Sequence, residues 1–346
     1  MMTLWMRRGP AACLLWPLSL LMHLLVAARR VAYGFGLCRS VRLPVPVIVV
    51  GNLFVGGTGK TPLTIWLVET LRRAGYRPGV ISRGHGRVDA TTQAVLAQSS
   101  PLQVGDEPVL IVQRTGCPLV VGRDRVAAAQ ALLAAHPATD VIISDDGLQH
   151  YRLARDIEIV LSDARGAGNG WLLPAGPLRE PLWRRRDFSV RNVGSLCDAA
   201  SVHGADKIVS DGRYPCVAMQ LDAPQAEQLL DRARCLPLAS IAATIPPPLI
   251  LAAAGIGHPA RFFTSLAAAG LVFEEMPLPD HHLFTPQTFA GCHADLILIT
   301  EKDAVKCREI KALASDPRFW VVPVSAHIAA PFAGHLLEKL RGYAIA

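Results

Sequence analysis

Apolar residues fall into two patterns along this chain: one long N-terminal run and many short runs separated by segments of helical periodicity. The long run covers residues 10–28, about the length that a helix needs to cross a bilayer. From residue 44 onward, short apolar runs alternate with amphipathic segments. Strands that alternate with helices predict an α/β protein with a mostly parallel sheet covered on both faces.

The short runs predict individual strands and helices. In the first half we expect helices at 62–74 and 124–135 and strands at 45–50, 79–82, 119–121, 141–144, 157–161 and 188–190. In the second half we expect helices at 259–269 and 335–340 and strands at 249–253, 296–300 and 320–324. Weak periodicity over 192–212 predicts an irregular connection, followed by a linking strand at 216–221.

The two series of strands and helices predict two domains after an N-terminal helix. A chain of 346 residues is long for one compact core. We place a membrane-associated helix in 1–40, a larger α/β domain in 41–215 and a smaller α/β domain in 216–346. The terminal helix of the smaller domain could pack back on the larger one.

The N-terminal run has three interpretations. Arginine pairs at 7–8 and 29–30 flank it, so the charge rule sets no orientation. A cleaved signal peptide fits the charge and the Ala-rich end, and a single span fits the length. We favour a helix that lies in the membrane interface, because Pro17, Ser19 and His23 interrupt the apolar run.

Composition and charge limit the classes of binding partner. The net charge is +7 and the pI about 9.1, which suits nucleic acid, an anionic membrane or a phosphorylated substrate. The sequence contains no nucleic-acid-binding signature and its basic residues are not interleaved with aromatics, so we expect no nucleic acid partner. The eight cysteines form no CxxC pair, which indicates scattered reduced thiols rather than a zinc site or a disulfide framework.

A glycine-rich loop follows the first predicted strand. The sequence GNLFVGGTGKT at 51–61 lies between a strand and a helix, which is the context of a Walker A loop. Lys60 would reach the β- and γ-phosphates of ATP. The strict pattern has glycine where Phe54 stands, and we expect Gly56 and Gly57 to supply the flexibility. We assign ATP binding to Val55, Gly56, Gly57, Thr58, Gly59, Lys60, Thr61 and Pro62.

Two adjacent carboxylates end a later strand. Asp145 and Asp146 close an apolar run, as a Walker B carboxylate does beside a P-loop. Adjacent carboxylates repel each other unless a cation lies between them. We therefore expect Thr61, Asp145 and Asp146 to hold Mg²⁺, with a helix N-cap as the alternative for the two aspartates. Gln149 and His150 either reach the phosphates or cap the loop.

A series of short motifs runs in order over nearly the whole chain: GNLFVGGTGKTP at 51–62, SRGHGR at 82–87, VGDEP at 104–108, VGRDR at 121–125, SDDGLQH at 144–150, LLPAGPLREP at 172–181, AGIGHPARFF at 254–263, PDHH at 279–282 and TEKDAVK at 300–306. With these motifs the chain resembles the tetraacyldisaccharide 4′-kinases, the lipid A 4′-kinases of Gram-negative bacteria. The apolar N-terminus also fits this membrane-associated family.

The resemblance implies a reaction and a location. The reaction is phosphorylation by ATP of the 4′-hydroxyl of a tetraacylated glucosamine disaccharide 1-phosphate, which gives lipid IVA in lipid A biosynthesis. The implied fold is a P-loop NTPase-like domain with a smaller α/β domain that closes over the ATP cleft. We expect a monomer at the cytoplasmic face of the inner membrane, attached peripherally or monotopically.

The resemblance also implies catalytic roles. Asp106 matches the family's catalytic aspartate, and His281 the histidine that works with it, with His282 as the alternative. A carboxylate that accepts the proton of a sugar hydroxyl helps its attack. Lys60 and Arg179 would neutralise charge during phosphoryl transfer.

Further charged residues lie in matching motifs. Arg123, Arg125, Arg179 and Glu180 could bind phosphate oxygens, although Arg123 and Arg125 could instead form an ion-pair cluster with Asp124 at a helix start. Another group lies at a strand-to-helix turn, where either capping or nucleotide contact is expected: Glu301, Lys302, Asp303 and Lys306.

Two other functions share part of the pattern. A P-loop ATPase or GTPase switch would share the Walker motifs, but the sequence has no Asn-Lys-x-Asp guanine reader. A membrane scaffold with a relict P-loop would not need intact catalytic residues, and the sequence keeps Lys60, Thr61, Asp106, Asp145 and Asp146. The sequence therefore favours a lipid kinase.

Overall fold

Two β-sheets organise the chain in this computed structural model, which describes residues 2–87, 91–195, 209–210 and 214–343. The strands are β1 (Val47–Asn52), β2 (Pro78–Ser82), β3 (Gln93–Ala94), β4 (Leu119–Val121), β5 (Val141–Asp145), β6 (Ile157–Asp163), β7 (Phe188–Ser195), β8 (Val209–Ser210), β9 (Pro215–Asp222), β10 (Gln225–Gln228), β11 (Cys235–Pro237), β12 (Ile250–Ala254), β13 (Glu274–Pro277), β14 (Leu296–Thr300), β15 (Phe319–Val322) and β16 (Ser325–Ile328). The larger sheet has the order β16-β9-β7-β6-β1-β5-β2-β4-β3, with β8 paired to β9, and the smaller has the order β11-β10-β15-β14-β12-β13.

Helices cover the faces of these sheets. They are α1 (Met2–Met6), α2 (Pro10–Gly34), α3 (Lys60–Arg73), α4 (Pro101–Val104), α5 (Asp106–Thr115), α6 (Arg125–Ala135), α7 (Leu238–Ala242), α8 (Pro259–Ala268), α9 (Glu301–Cys307), α10 (Lys311–Ala314) and α11 (Ala330–Arg341), with a 3₁₀ turn at Pro286–Phe289. In β1, Ile48 and Val50 pack with α3, α5 and α11, whereas Val47 and Val49 pack with α6 on the other face. The predicted α/β class with a mostly parallel sheet is confirmed.

Strand β1 lies in the middle of the larger sheet, parallel to β5 on one side and to β6 on the other. Val50 pairs with Asp145, and Asn52 pairs with Leu161. The carboxyl ends of these three strands therefore meet at one edge, where open α/β sheets bind ligands. This register places the glycine-rich loop beside the acidic pair.

The chain leaves the larger sheet after β9 and returns to it at β16. Strand β16 pairs antiparallel with β9, and α11 packs Phe332, Leu336 and Leu340 into the core of the larger sheet. Residues 216–221, predicted as a linking strand, belong to β9 and lie inside that sheet. The smaller sheet is built from the chain between these strands. The domain limits near 40 and 215 stay predictions.

Several element boundaries differ from the predicted ones. The predicted strand at 320–324 ends at Val322, because the next residue is Pro323, which has no N–H to donate. The connection predicted over 192–212 begins within β7, which continues to Ser195 with a register shift. Residues 196–208 and 211–213 lie outside the described part of the chain.

Helix α2 rests on the protein by one face and leaves the other uncovered. Within the described residues it is the one helix long and apolar enough to cross a membrane, by length and composition. Its buried Ser19 donates a hydrogen bond to the carbonyl of Leu172 (2.7 Å). The opposite face exposes a row of leucines at helical spacing: Leu14, Leu18, Leu21 and Leu25. The apolar stretch therefore forms the predicted N-terminal helix, and its exposed side suggests membrane association.

Candidate active site

The glycine-rich loop connects β1 to α3 at the carboxyl edge of the larger sheet. Gly56 and Gly59 have φ values of 104° and 98°, in the left-handed region that favours glycine. A Cβ at Gly59 would lie 2.7 Å from the side-chain amide of Asn192. Glycine is therefore required at both positions by the backbone conformation, and at position 59 also by the close approach of Asn192.

Two asparagines hold carbonyls of this loop. Asn52 donates from Nδ2 to the carbonyl of Gly56 (3.0 Å), and Asn192 donates to the carbonyl of Thr58 (2.9 Å). Lys60 in turn donates to Asn52 Oδ1 (3.1 Å). Carbonyls held from outside leave the N–H groups of the loop free to bind phosphate.

Asp145 is the buried member of the acidic pair. It lies at the end of β5 and is 1% exposed, with the hydroxyls of Thr64 and Ser82 at 3.4 Å and 3.3 Å from its carboxylate. Burial raises the pKa of Asp145 to about 7, and the charge of Glu107 adds to this effect. The positive charges near Asp145 therefore do not compensate the cost of burying its ionised carboxylate.

Asp146 faces the cations of the site. Lys60 Nζ lies 3.5 Å from Asp146 Oδ1, and Arg179 Nη1 lies 3.2 Å from the same oxygen. Burial alone would raise the pKa of Asp146, but Lys60 and Arg179 outweigh it and hold the pKa below its usual value. Asp146 is thus ionised next to the lysine of the P-loop.

The residues assigned to Mg²⁺ fit that ion. Mg²⁺ is usually held by one or two carboxylates together with substrate phosphates and water. Asp145 and Asp146 supply carboxylate oxygens beside the P-loop, and Thr61 lines the same cavity. The under-compensated charge of Asp145 is the condition that a divalent cation would relieve. An N-cap role does not account for these side chains, because Asp145 belongs to a strand and Asp146 pairs with cations.

A second cluster joins Asp106 to His281. Asp106 begins α5 and is 5% exposed, and its Oδ2 lies 3.1 Å from His281 Nδ1, although 175 residues separate the two in sequence. An ionised carboxylate only accepts, so Nδ1 of His281 is the donor. Burial opposes ionisation of Asp106, but the hydrogen bond from His281 and the charge of Lys302 prevail and lower its pKa. The hydrogen bond to Asp106 raises the pKa of His281.

Lys302 supports this cluster from α9. Its Nζ lies 3.8 Å from Asp106, 3.4 Å from Glu107 and 3.6 Å from Asp280. Burial disfavours its charge, yet the carboxylates of Glu107, Asp106 and Asp280 together raise its pKa. Lys302 therefore connects the start of α5 in the larger sheet's layer with the loop that carries His281.

His282 points elsewhere. Its ring contacts Phe284 edge-on, with 5.1 Å between ring centroids, and its backbone carbonyl accepts from Lys306 (3.1 Å). Of the two neighbouring histidines, the structure brings His281 to Asp106. Asp146 and His281 are also the two non-glycine residues with positive φ (48° and 59°) among the described residues. Such strain is concentrated at functional sites.

The remaining motif residues have mostly structural contacts. Asp124 caps α6 through the N–H groups of Val126 and Ala127, and Arg123 is exposed. Arg125 is buried and donates to the carbonyl of Gly122 (2.5 Å).

The acidic residues of the other two motifs bind neighbouring side chains and N–H groups. Glu180 accepts from Gln149, Tyr151 and Arg184. Glu301 pairs with Arg114. Thr300 caps α9 by accepting from the N–H of Asp303, and the Asp303 carboxylate accepts from the Thr300 hydroxyl and from the N–H of Gly255.

One cavity of about 1050 Å³ connects these groups. It is lined by all eight residues assigned to ATP, by both acidic residues, by Arg179 and by His281. Asp106 is not part of the lining, but its neighbours His281, Glu107 and Lys302 are. At its other end the cavity reaches Met22, Val26 and Arg29 of α2. A ligand in this space can therefore contact both the P-loop and the apolar helix.

Sequence reasoning missed several residues that shape the site. Asn52 and Asn192 hold the P-loop, and Thr64 and Ser82 contact Asp145. Asn52 lies within the glycine-rich segment and Thr64 follows shortly after it, so both could have been noticed there. Asn192 gave no local signal, since it reaches Thr58 across 134 positions.

Comparison with known proteins gives a consistent result. The family model described as Tetraacyldisaccharide-1-P 4′-kinase matches residues 11–341. A tetraacyldisaccharide 4′-kinase of Herminiimonas arsenicoxydans is 59% identical over 345 residues, which cover 99% of this chain and 95% of that protein. The corresponding protein of Dechloromonas aromatica is 44% identical and covers 98% of this chain and 96% of its own length.

A solved structure agrees with these relatives. The crystal structure described as the apo form of LpxK from Aquifex aeolicus in complex with ATP has a TM-score of 0.77 and 27% identity, over 95% of this chain and 99% of that one. The family match and the closely similar relatives extend over nearly the whole chain, including every residue of the site described above. The chain therefore belongs to the tetraacyldisaccharide-1-P 4′-kinase family.

Proposed function

We propose that this chain transfers the γ-phosphate of ATP to the 4′-hydroxyl of a tetraacyldisaccharide 1-phosphate, which forms lipid IVA in lipid A biosynthesis. The observation that carries the proposal is the single cavity that joins the P-loop, His281 and the apolar helix α2. A P-loop binds the nucleotide, and an apolar helix suits an acylated acceptor. The acceptor hydroxyl then lies between them.

In this proposal Asp106 accepts the proton of the attacking hydroxyl, which would approach the carboxylate at the part of the cavity wall formed by His281 and Lys302. Its lowered pKa keeps it ionised, and the hydrogen bond from His281 orients it. His281 lines the cavity in front of Asp106, so it can also position the sugar. The carboxylate is otherwise shielded from water, because it is 5% exposed.

Charge neutralisation falls to the groups around Asp146. Lys60 and Arg179 both lie within 3.5 Å of this carboxylate and line the cavity, so they can bind phosphate oxygens as charge moves from acceptor to nucleotide. Thr61, Asp145 and Asp146 would hold Mg²⁺, which supplies positive charge to the β- and γ-phosphates when bound. Asn52 keeps Lys60 directed at the loop.

The exposed leucines of α2 support attachment of the protein to a membrane. We propose that it attaches peripherally or monotopically to the cytoplasmic face of the inner membrane, where ATP is available. The row of leucines would enter the apolar part of the bilayer. The proposed smaller α/β domain would close over the ATP cleft from the opposite side.

Phosphate transfer tests the proposed reaction. With radiolabelled ATP and a tetraacyl disaccharide 1-phosphate in mixed micelles, we expect labelled lipid, and ATP turnover stimulated by the acceptor. A P-loop switch would hydrolyse ATP equally without acceptor, and a scaffold would do neither. Folded, ATP-binding protein that yields no labelled lipid would contradict the acceptor assignment. The same assay with a disaccharide lacking acyl chains tests whether the lipid part is recognised.

Membrane attachment is tested on the exposed face of α2. Replacing Leu14, Leu18, Leu21 and Leu25 by glutamine removes apolar surface without touching the face that docks on the protein, so vesicle binding should fall about tenfold or more. Co-sedimentation with anionic vesicles measures this change.

A matched control removes exposed apolar side chains elsewhere. Ile245, Leu249 and Val272 are 92%, 64% and 86% exposed, in the part of the chain that carries the smaller sheet. Their replacement by glutamine should leave vesicle binding unchanged. If the α2 variant still co-sediments like the wild type, another surface carries the attachment.

A further inference from the structure

Phe54 occupies the position at which a strict Walker A loop has glycine. Its side chain is 3% exposed, and the guanidinium of Arg165 lies over its ring at 4.3 Å from the centroid. Phe54 also pairs with Leu178 in an antiparallel bridge. The residue therefore gives the loop a buried platform on which Arg165 rests.

Arg165 holds the middle of the P-loop. Its Nη2 donates to the carbonyl of Gly57 (2.8 Å). In a trans peptide the C=O and the N–H point in opposite directions, so this bond directs the N–H of Thr58 away from Arg165 and into the loop. The carbonyls of the two adjacent peptides are those held by the asparagines. Arg165 completes a set of three anchored peptides around the phosphate cradle.

Asp163 connects Arg165 to the smaller sheet. It ends β6 and is 2% exposed, and its Oδ2 accepts from Arg165 Nη2 (2.7 Å) and from Arg261 Nη2 (2.7 Å). Arg261 lies on α8, whose Phe262 and Leu266 belong to the core of the smaller sheet. Burial would raise the pKa of Asp163, but the two arginines outweigh it and lower the pKa, so the shared carboxylate stays charged.

We propose that Phe54, Asp163, Arg165 and Arg261 form a P-loop brace, which couples the position of α8 to the shape of the phosphate cradle. Arg261 lines the cavity, whereas Phe54, Asp163 and Arg165 do not, and all four act as positioning residues through the Gly57–Thr58 peptide. This inference rests on the nucleotide-binding part of the proposed function. Because Arg165 and Arg261 share one carboxylate oxygen, loss of Arg261 removes the link between α8 and the carboxylate that positions Arg165.

The affinity for Mg·ATP tests the brace without any acceptor. Arg165→Met should raise the Kd by about tenfold, since a charge-assisted hydrogen bond to the loop is lost. Arg261→Met should also raise the Kd. The double variant should bind no more than about twofold more weakly than Arg165→Met alone, because the two act through one unit. Isothermal titration calorimetry measures all of these values.

Arg318 provides a matched control. It forms the same pair two residues after an aspartate, with Nη2 at 2.8 Å from Asp316 Oδ2, and it also donates to a carbonyl, that of Cys292 (3.0 Å). It does not line the cavity. Arg318→Met should therefore leave the Kd for Mg·ATP unchanged.

Two outcomes would overturn the brace: an unchanged Kd in Arg165→Met, or additive effects of the two arginine substitutions, which would mean independent contacts with the nucleotide. If Arg165→Met does not fold, Arg165→Lys keeps the charge but not the fork, and should show a smaller loss in the same direction. Failure of the wild type to phosphorylate the lipid, with the Kd pattern intact, would refute the acceptor and leave the brace standing.

Discussion

Replacing Asp106 by asparagine should lower kcat by about 10²- to 10⁴-fold while ATP affinity stays near that of the wild type. Asparagine keeps the shape of the side chain but cannot take a proton from the sugar hydroxyl. Asp106 itself does not line the cavity, so nucleotide contacts should survive. Steady-state kinetics with the lipid acceptor and calorimetry with Mg·ATP measure the two quantities. A near-normal kcat would remove Asp106 from the catalytic role.

The pH profile gives this prediction a second readout. Because Asp106 must be ionised to act as a base, kcat/KM should fall as the pH decreases through its pKa, which lies below the usual 3.8. His281→Ala removes the hydrogen bond that lowers this pKa, so the acidic limb should move to higher pH and kcat should drop.

His282→Ala is the control for this shift. Its ring packs on Phe284 rather than on Asp106, so the acidic limb should stay where it is in the wild type. The opposite pattern, a shift in His282→Ala and none in His281→Ala, would exchange the roles of the two histidines. If the acidic limb moves in neither variant, neither histidine sets the pKa of Asp106.

Replacing Lys60 by methionine should reduce kcat/KM by about 10²- to 10³-fold, the range found when one preorganised donor to a transition state is removed. Lys60 lies 3.5 Å from Asp146 and donates to Asn52 inside the P-loop, so methionine loses the charge but keeps the length. Transfer of labelled phosphate to the lipid measures the loss.

Lys339 is the lysine to compare with Lys60. Lys339 lies on α11, its Nζ is 2.8 Å from Asp187 Oδ1, and it does not line the cavity. Lys339→Met should therefore keep kcat/KM close to the wild-type value. Equal activity of Lys60→Met and Lys339→Met would show that the P-loop lysine does not act on the phosphates.

The contact between α2 and the cavity links the apolar helix to the proposed site of phosphoryl transfer. Met22, Val26 and Arg29 line the cavity from the docked side of the helix, while the leucine row faces outward. An acylated acceptor could therefore keep its chains near the membrane while its sugar reaches His281. The leucine variant that is expected to lose vesicle binding should then also phosphorylate the lipid acceptor less efficiently.

Local sequence patterns were sufficient to predict much of the fold and of the candidate site. The apolar helix, the P-loop between a strand and a helix, and the acidic pair at the end of a strand were readable because each depends on residues close together in sequence. The parallel sheet followed from the alternation of strands and helices, and β1 and β5 then had to bring Gly56 and Asp145 to one edge.

Sequence alone determined the family-like motifs and the P-loop, because each is a short pattern, and the candidate base Asp106 followed from the resemblance to the family. Only the tertiary structure decided which histidine meets Asp106, how β9 and α11 return to the larger sheet, and that Asp163 joins Arg165 to Arg261. These contacts join residues up to 175 positions apart. They depend on how helices, loops and strand ends from distant parts of the chain meet, and no local periodicity records those contacts.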